Sequence, residues 1–231
     1  MVEGNPQVYR SPRRGIDRVE IVKLPGHTFQ ITCPGDANLL LDDPYVTEAF
    51  NRDEFMPYWA DLWPASRMLA AAVLATPWPA GTRALEVGCG LGLAGVAGLC
   101  AGLDVTLTDY DITALEYAQT NIAANAPPDA QGRCMPLDWR FPPKLEPFPL
   151  ILAADVVYEE RHIAPLVNLI TTLLAPDGMC MLSDPNRAGG DRLTRALTNS
   201  ALSHEKRATA VTDEDGTRHE GTLHFIRHLN K

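Results

Sequence analysis

The sequence contains no apolar run long enough to cross a bilayer, and its start, Met-Val-Glu-Gly-Asn-Pro, lacks the basic-then-apolar pattern of a secretory signal. The five cysteines form no C-x-x-C pair, which argues against a zinc site and against a disulfide framework. We therefore expect a soluble, cytoplasmic protein whose thiols are reduced and buried, with no membrane partner and no bound metal.

Positive charge is also scarce, because 20 Lys and Arg residues face 29 Asp and Glu residues, giving a formal net charge of −9. Bulk attraction to nucleic-acid phosphates is disfavoured, so no nucleic-acid partner is expected. The length of 231 residues suits one well-buried α/β domain with a modest extension. We predict an N-terminal extension over residues 1–80 and the main domain over 81–231, with a monomer favoured.

A glycine-rich turn follows a short apolar run between Arg83 and Gly92, which reads Arg-Ala-Leu-Glu-Val-Gly-Cys-Gly-Leu-Gly. This pattern predicts a strand, a tight turn and a helix from about Leu91. Glycine permits positive φ and lets a ligand approach the main chain, although glycines needed only for packing would give the same pattern. A dinucleotide fingerprint would place its third glycine at position 93, which is Leu93, so a nicotinamide or flavin dinucleotide is disfavoured.

Apolar runs alternate with helical stretches from Thr82 onward, which predicts a mainly parallel sheet. Five of these runs end at or near an acidic residue: Glu86, Asp109, Asp138, Asp155 and Asp184. Each acid alone could be the N-cap of the next helix. Together they predict an acidic rim at one edge of the sheet. Asp109 follows Gly90 by 19 positions, which is near the place where an acid meets ribose hydroxyls in nucleoside-binding βαβ units.

The remaining segments are predicted from local patterns. Residues 1–15 are expected to form a loose tail, and the histidines near the end of the chain to lie at a surface or sheet edge. The other predicted elements are a hairpin over 16–32, helices over Pro44–Phe50 and Arg67–Ala75, and antiparallel closing strands over Ser203–Val211 and Gly221–Leu229.

Several motifs together resemble one enzyme family. Glu86-Val-Gly-Cys-Gly-Leu-Gly92 resembles the first motif of the class I, seven-stranded S-adenosylmethionine (SAM) methyltransferases. Asp155-Val-Val-Tyr158 resembles the Asp-x-x-Tyr motif of their protein lysine methyltransferase group, which includes the electron-transfer-flavoprotein β-subunit enzyme. Three further elements resemble that group in the same order: Tyr58-Trp-Ala-Asp-Leu-Trp-Pro64, Leu137-Asp-Trp139 and Ser183-Asp-Pro-Asn-Arg187, the last with Asn186 in place of a glycine.

The resemblance implies a Rossmann-like α/β fold with a seven-stranded, mostly parallel sheet and helices on both faces. It implies SAM as cofactor and S-adenosylhomocysteine as product. Asp155 and Tyr158 would position the acceptor and serve as the catalytic pair. The implied cofactor-binding residues are Trp63, Glu86, Gly88, Cys89, Gly90, Gly92, Asp109, Tyr110, Asp138, Trp139 and Ala154.

The function expected from the resemblance is methyl transfer to a lysine presented by a protein substrate. A small-molecule, nicotinamide-like N-methyltransferase and a protein arginine methyltransferase remain as alternatives. A non-catalytic scaffold on the same fold is a third, although a scaffold has no reason to keep the glycine turn and Asp109. The predicted hairpin would serve as a lid over a small substrate or as a docking surface for a protein.

Overall fold

The structure, a computed structural model, describes residues 8–13, 15–186 and 190–229. Its strands are β1 (Arg18–Leu24), β2 (His27–Cys33), β3 (Arg83–Val87), β4 (Asp104–Asp109), β5 (Gly132–Pro136), β6 (Phe148–Ala154), β7 (Leu174–Asp184), β8 (Leu202–Thr212) and β9 (Arg218–His228). Its helices are α1 (Asn38–Leu41), α2 (Pro44–Asp53), α3 (Pro64–Leu74), α4 (Leu93–Cys100), α5 (Ile112–Asn125), α6 (Glu160–Leu173) and α7 (Gly190–Thr198). A short 3₁₀ turn over Tyr58–Ala60 precedes α3.

Seven of the strands in the described part of the chain form one sheet in the order β5-β4-β3-β6-β7-β9-β8. Strands β3 to β7 pair in parallel, whereas β9 is antiparallel to both β7 and β8. The predicted mostly parallel sheet with antiparallel closing strands is therefore confirmed. The chain leaves β3 in one direction to form β4 and β5, then returns to form β6 on the other side of β3. Such a reversal opens a crevice at the carboxyl ends of β3 and β6.

Both faces of the sheet are covered, which explains why its central strands are apolar without alternation. In β6 the segment Leu150–Ala153 is buried on both sides. Leu150 and Leu152 pack towards α3 and α4, and Ile151 and Ala153 pack towards α6. Helix α4 is buried along almost its whole length. The crevice therefore lies at the end of a sheet that is packed against helices on both faces.

The N-terminal hairpin of β1 and β2 is a separate two-stranded sheet that packs on α5. The side chains of Asn121 and Asn125, one turn apart on α5, each accept a backbone NH of β2 and donate to a carbonyl of β2, through Thr32 and Gln30 respectively. The two side-chain amides thus form hydrogen bonds with backbone groups at the outer edge of β2, as a neighbouring strand would. The buried Arg67 of α3 also forms an ion pair with Glu20 of β1. The hairpin is thus held against helices α3 and α5.

The predicted loose tail is wrong for residues 8–13. Tyr9 is almost completely buried; its ring stacks on Phe55 at 4.3 Å between centroids, and its backbone NH donates to the carbonyl of Tyr110. Ser11 is buried and donates to the carboxylate of Asp111. The groups that bury this segment, two aromatic rings and one carboxylate, come from distant parts of the sequence. The polar composition of the segment itself therefore does not predict that it is buried. The rest of the predicted tail, residues 1–7 and Arg14, lies outside the described residues.

Smaller differences concern helix boundaries. Helix α3 begins at Pro64, three residues before the predicted start, with the proline at its first position. Helix α4 begins at Leu93, because Gly92 has φ +81° and acts as its N-cap. Helix α1 was not predicted. No helix in the described ranges has the length and apolar character needed to span a membrane.

Candidate active site

The glycine turn after β3 forms the floor of a cavity at the crevice. Gly88, Gly90 and Gly92 all have positive φ, at +65°, +51° and +81°. A Cβ atom on Gly88 would lie 2.9 Å from Cζ2 of Trp139, and one on Gly90 would lie 3.3 Å from the carbonyl oxygen of Trp59. Glycine is therefore required both by the backbone conformation and by the close approach of neighbouring groups.

Asp109 ends β4 and joins that strand to the glycine turn. Its Oδ2 accepts the backbone NH of Gly90 at 3.0 Å, and its Oδ1 accepts the backbone NH of Asp111 at 3.1 Å. Burial raises the pKa of Asp109 to about 6, although these backbone donors act in the opposite direction. A carboxylate has about four acceptor sites, so Asp109 can still accept a hydroxyl of a ligand in the cavity.

Glu86 does not reach the cavity, although it was predicted to bind the cofactor. Its side chain is buried beneath the turn, where Oε2 accepts the backbone NH of Gly95 at 2.9 Å. Burial raises the pKa of Glu86 to about 8, and the charge of Asp109 adds to this effect. Side chains alternate along a strand, so Glu86, one residue before the end of β3, points towards α4. This placement supports the turn rather than direct ligand contact.

One wall of the cavity is formed by the residues after β4 and β5. Tyr110, Asp138 and Trp139 line it, as predicted. Asp138 is paired with Arg140, which was not predicted: Nε donates to Oδ1 at 2.9 Å and Nη2 donates to Oδ2 at 2.7 Å. The same guanidinium reaches across the cavity to both oxygens of Asp53 at the end of α2. Asp53 therefore belongs to the site through a contact that spans 87 positions of sequence.

The opposite wall comes from the segment before α3. Trp63 lines the cavity, and its Nε1 donates to the carbonyl of Tyr58 at 2.7 Å. Trp59 is buried, and its Nε1 donates to Oδ2 of Asp111 at 3.1 Å. Of the two tryptophans, Trp59 is thus the buried anchor, and Trp63 is half-buried and forms part of the cavity wall.

The predicted catalytic pair lies at the carboxyl end of β6. Asp155 has φ +53°, an uncommon conformation for a residue with a side chain, and its backbone NH donates to the carbonyl of Ser183 at 2.9 Å. The neighbouring strand β7 therefore holds Asp155 in this conformation. Tyr158 packs its ring against Tyr58 at 4.8 Å and against His162 at 5.3 Å. Burial raises the pKa of Tyr158, so its hydroxyl stays protonated at neutral pH.

Twelve of the thirteen predicted site residues line this one cavity, and Glu86 is the exception. The predicted cofactor set and the predicted catalytic pair therefore meet in one place. None of the described residues that line the cavity belongs to the hairpin. Further residues line the cavity but were not among the predicted site residues. They include Asp53, Met56, Tyr58, Asp61, Arg140 and His162.

Comparison with known proteins shows what the chain is related to. A family model described as lysine methyltransferase matches residues 59–193. The chain belongs to this lysine methyltransferase family. The match begins at the Tyr-Trp segment and ends within α7, so it contains all thirteen predicted site residues. It confirms the resemblance inferred from the motifs.

Relatives within and around the family are similar over different lengths. EEF1A lysine methyltransferase 3 of Mus musculus is 34% identical over 139 residues, which are 58% of this chain and 58% of that protein. This chain therefore spans little more than half of that relative. The electron transfer flavoprotein beta subunit lysine methyltransferase of Danio rerio is 28% identical over 207 residues, 87% of this chain and 77% of that protein.

A solved structure supports the fold alone, because the identity is low. The N-methyltransferase NodS from Bradyrhizobium japonicum, in complex with S-adenosyl-l-homocysteine, has a TM-score of 0.59 and 19% identity. The similarity covers 79% of this chain and 98% of NodS. The seven-stranded Rossmann-like methyltransferase fold expected from the sequence is thus confirmed.

In this member of the lysine methyltransferase family, the structure explains how Asn186 takes the place of a glycine in the Ser183–Arg187 element. Asn186 has φ +60°, the left-handed region that glycine adopts freely and that asparagine tolerates better than most residues. Its side-chain oxygen accepts the hydroxyl of Thr222 on β9 at 2.7 Å. Asn186 therefore adopts the left-handed backbone conformation that a glycine would adopt at this position. Arg187, the last residue of the motif, lies outside the described residues.

Asp111 is the structural residue that sequence reasoning missed most clearly. It is completely buried and caps α5 by accepting the backbone NH of Thr113 at 2.8 Å. It also accepts the NH and the hydroxyl of Ser11 and the indole NH of Trp59. One carboxylate thus joins the N-terminal segment, the tryptophan anchor and the residues after Asp109. The capping position was a detectable signal, but the distant partners were not.

The prediction that the histidines near the end of the chain lie at a surface or sheet edge is wrong for His224. His224 is buried on β9, with Nδ1 2.7 Å from Nε2 of His204 on β8, and the two rings are nearly parallel. Burial lowers the pKa of His224 to about 4, and the charges of His204 and Lys206 act in the same direction. Among the described residues no group of three His, Cys, Asp or Glu side chains is arranged to hold a metal ion.

Proposed function

We propose that this protein is a SAM-dependent methyltransferase that transfers a methyl group to the amine of a lysine in a protein substrate. The observation that carries the proposal is that one cavity contains both the Gly90–Asp109 pair and the Asp155–Tyr158 pair, in a chain of the lysine methyltransferase family. The first pair suits a nucleoside with free hydroxyls. The second suits an incoming cation.

The chain's own residues fit SAM along the length of the cavity. The lack of side chains at Gly88 and Gly90 lets Trp139 and the backbone of Trp59 pack closely on the turn that lines the cavity, where the methionine part would lie and no diphosphate has to be bound. The carboxylate of Asp109 would accept the ribose hydroxyls. Tyr110 and Trp139 provide aromatic surfaces for the adenine, beside the Asp138–Arg140 pair. When bound, SAM supplies a methyl group on a positively charged sulfonium, which is open to in-line displacement.

The acceptor amine must lose a proton before it can attack. A lysine amine has an ordinary pKa of roughly 10.4 and is mostly protonated at neutral pH. The carboxylate of Asp155 would attract the ammonium and orient it, and the protonated hydroxyl and ring of Tyr158 would shape the slot. A nearby positive charge favours the neutral amine. The protein therefore acts by alignment and by exclusion of water, and a covalent intermediate is not needed.

A protein substrate is favoured over a small amine by the open side of the cavity. A small-molecule enzyme is expected to close a lid over its pocket, but the hairpin packs on α5 and lines no part of the cavity. The relatives named above are described as lysine methyltransferases of protein substrates. We place the reaction in the cytoplasm, where the free cysteines of this chain would stay reduced.

The test is transfer of a labelled methyl group from SAM to proteins of a cell extract, followed by hydrolysis and separation of the methylated amino acids. We expect label in methyl-lysine with the wild-type enzyme and its loss with Asp155→Ala. Asp191→Ala, an exposed acid on α7, is the matched control and should keep full activity. Label in methyl-arginine would replace the lysine assignment, and label only in small molecules would replace the protein substrate. No label with a wild type that binds SAM would contradict the proposed function.

A further inference from the structure

Tyr58 opens the Tyr58–Pro64 element and lines the cavity, although it was not among the predicted site residues. Its backbone NH donates to the carbonyl of Met56, and its carbonyl accepts the indole NH of Trp63. The next residue is the buried anchor Trp59. Although the backbone is fixed on both sides, 38% of the Tyr58 surface is exposed. Tyr58 lines the same cavity as Asp155.

The ring of Tyr58 is one wall of a three-ring cluster, which we call the aromatic cage: Tyr58, Trp63 and Tyr158. The centroids of Tyr58 and Tyr158 are 4.8 Å apart and their planes are inclined by 66°. The centroids of Tyr58 and Trp63 are 6.5 Å apart, with an inclination of 70°. In both pairs the edge of one ring meets the face of the other, so the three rings are not a flat stack and their outer faces are not covered by each other.

Carboxylates accompany these rings. Asp155 stands at the cavity end of β6, and the exposed Asp61, three positions after Tyr58, lines the cavity from the same segment as Tyr58. Aromatic faces attract ammonium ions through the ring quadrupole, and the attraction grows when the ion is partly desolvated. Negative charge beside such faces excludes anions and favours cations.

We propose that Tyr58 is a specificity-determining residue, which together with Trp63 and Tyr158 recognises the ammonium group of the acceptor by cation–π contact. The inference rests on the proposed function, because it assigns a role at the acceptor side of the same cavity. It adds that aromatic faces, and not only the carboxylate of Asp155, select a charged acceptor side chain. An uncharged side chain of equal length would make no cation–π contact with the cage.

The test measures binding without turnover, using the protein saturated with S-adenosylhomocysteine. The probes are Nα-acetyl-lysine amide and the uncharged Nα-acetyl-norleucine amide, titrated into the wild type, Tyr58→Phe and Tyr58→Leu and followed by NMR shifts of the protein. Cation–π contacts correspond to roughly 2- to 30-fold in affinity. We expect the wild type and Tyr58→Phe to bind the lysine probe about tenfold more tightly than the norleucine probe. In Tyr58→Leu this preference should fall several-fold, because only the carboxylates Asp61 and Asp155 then favour the cation.

The affinity for S-adenosylhomocysteine, measured by calorimetry, should stay within about twofold in both variants, which shows that the fold and the cofactor side are intact. Equal binding of the two probes by the wild type, no binding of the lysine probe, or an unchanged preference in Tyr58→Leu would overturn the inference. Methyl transfer is measured separately. A charge preference that depends on Tyr58 without any transfer to lysine would contradict the proposed function and leave the cage in place.

Discussion

The backbone NH of Gly90 donates to Oδ2 of Asp109 across 3.0 Å, which ties the turn after β3 to the carboxylate that ends β4. The two residues are 19 positions apart. Because the bond fixes the direction of the carboxylate, Asp109 is oriented before any ligand arrives. Preorganised acceptors lose less freedom on binding, which favours affinity.

Cofactor binding should depend on pH through Asp109. Burial raises its pKa to about 6, and hydroxyl donors prefer the ionised carboxylate. As the pH falls through 6 the group becomes protonated, and at pH 5 only about a tenth of the molecules retain the charge. Calorimetric titration with SAM should therefore give a Kd about tenfold higher at pH 5 than at pH 7. Asp109→Asn should bind more weakly and lose this dependence; the same slope in both proteins would contradict the assignment.

The glycine at position 88 should be needed for the cofactor more than for the fold. In Gly88→Ala the new Cβ meets Trp139 at 2.9 Å and displaces this wall of the cavity. We expect the Kd for SAM to rise at least about tenfold. Gly81→Ala is the matched control, because Gly81 has a similar φ of +72° but no atom within 4 Å of the added Cβ. It should lose about 1 kcal/mol of stability and keep its affinity. Equal affinities in the two variants would contradict the steric argument.

Sequence patterns predicted those parts of the site whose cause is local. The glycines, Asp109, Asp138 and Asp155 follow directly from strand ends and a tight turn. The Arg140–Asp53 pair and the Trp59–Asp111 hydrogen bond join residues 87 and 52 positions apart, and no spacing rule predicts them.

The misplacements have physical reasons as well. Whether Glu86 reaches the cavity depends on the face of β3 from which its side chain extends, and the motif does not specify that face. The burial of the segment around Tyr9 depends on the rings of Phe55 and Tyr110, which come together only in the folded chain. The local sequence does not show these contacts and therefore indicates a tail.

Asp111 should contribute strongly to stability. In Asp111→Ala the donors of Ser11, Thr113 and Trp59 lose a buried acceptor, and an unsatisfied buried donor costs about 1–3 kcal/mol. We expect the free energy of unfolding to fall by about 3 kcal/mol in urea denaturation. Asp36→Ala removes an exposed carboxylate that accepts only local groups of Asn38, and should lose less than about 1 kcal/mol. Similar losses in both variants would show that Asp111 is an ordinary cap.

Glu86 should make stability fall as the pH rises. Its pKa is about 8 in the folded protein and about 4.5 when unfolded, so between these values the folded state holds the extra proton. The free energy of unfolding therefore decreases from pH 4.5 to 8 by this group's contribution. In Glu86→Gln that contribution is absent, while the amide oxygen can still accept the NH of Gly95.

Urea denaturation of the wild type and Glu86→Gln at pH 5.5 and pH 8 measures this difference. The stability of the variant relative to the wild type should improve by at least about 1.4 kcal/mol at the higher pH, the equivalent of one pKa unit. The exposed Glu160→Gln provides the control and should show no such change. A constant difference between Glu86→Gln and the wild type would mean that Glu86 is charged in the folded protein throughout this range.

Calorimetric titration of the purified wild type and of Asp109→Ala with SAM shows whether the glycine turn and Asp109 hold the cofactor. We expect one site per chain in the wild type and binding reduced beyond detection, or by at least about a hundredfold, in the variant. Circular dichroism of both proteins confirms that each is folded. A folded wild type that does not bind SAM, or an Asp109→Ala variant that binds it equally well, would contradict the account.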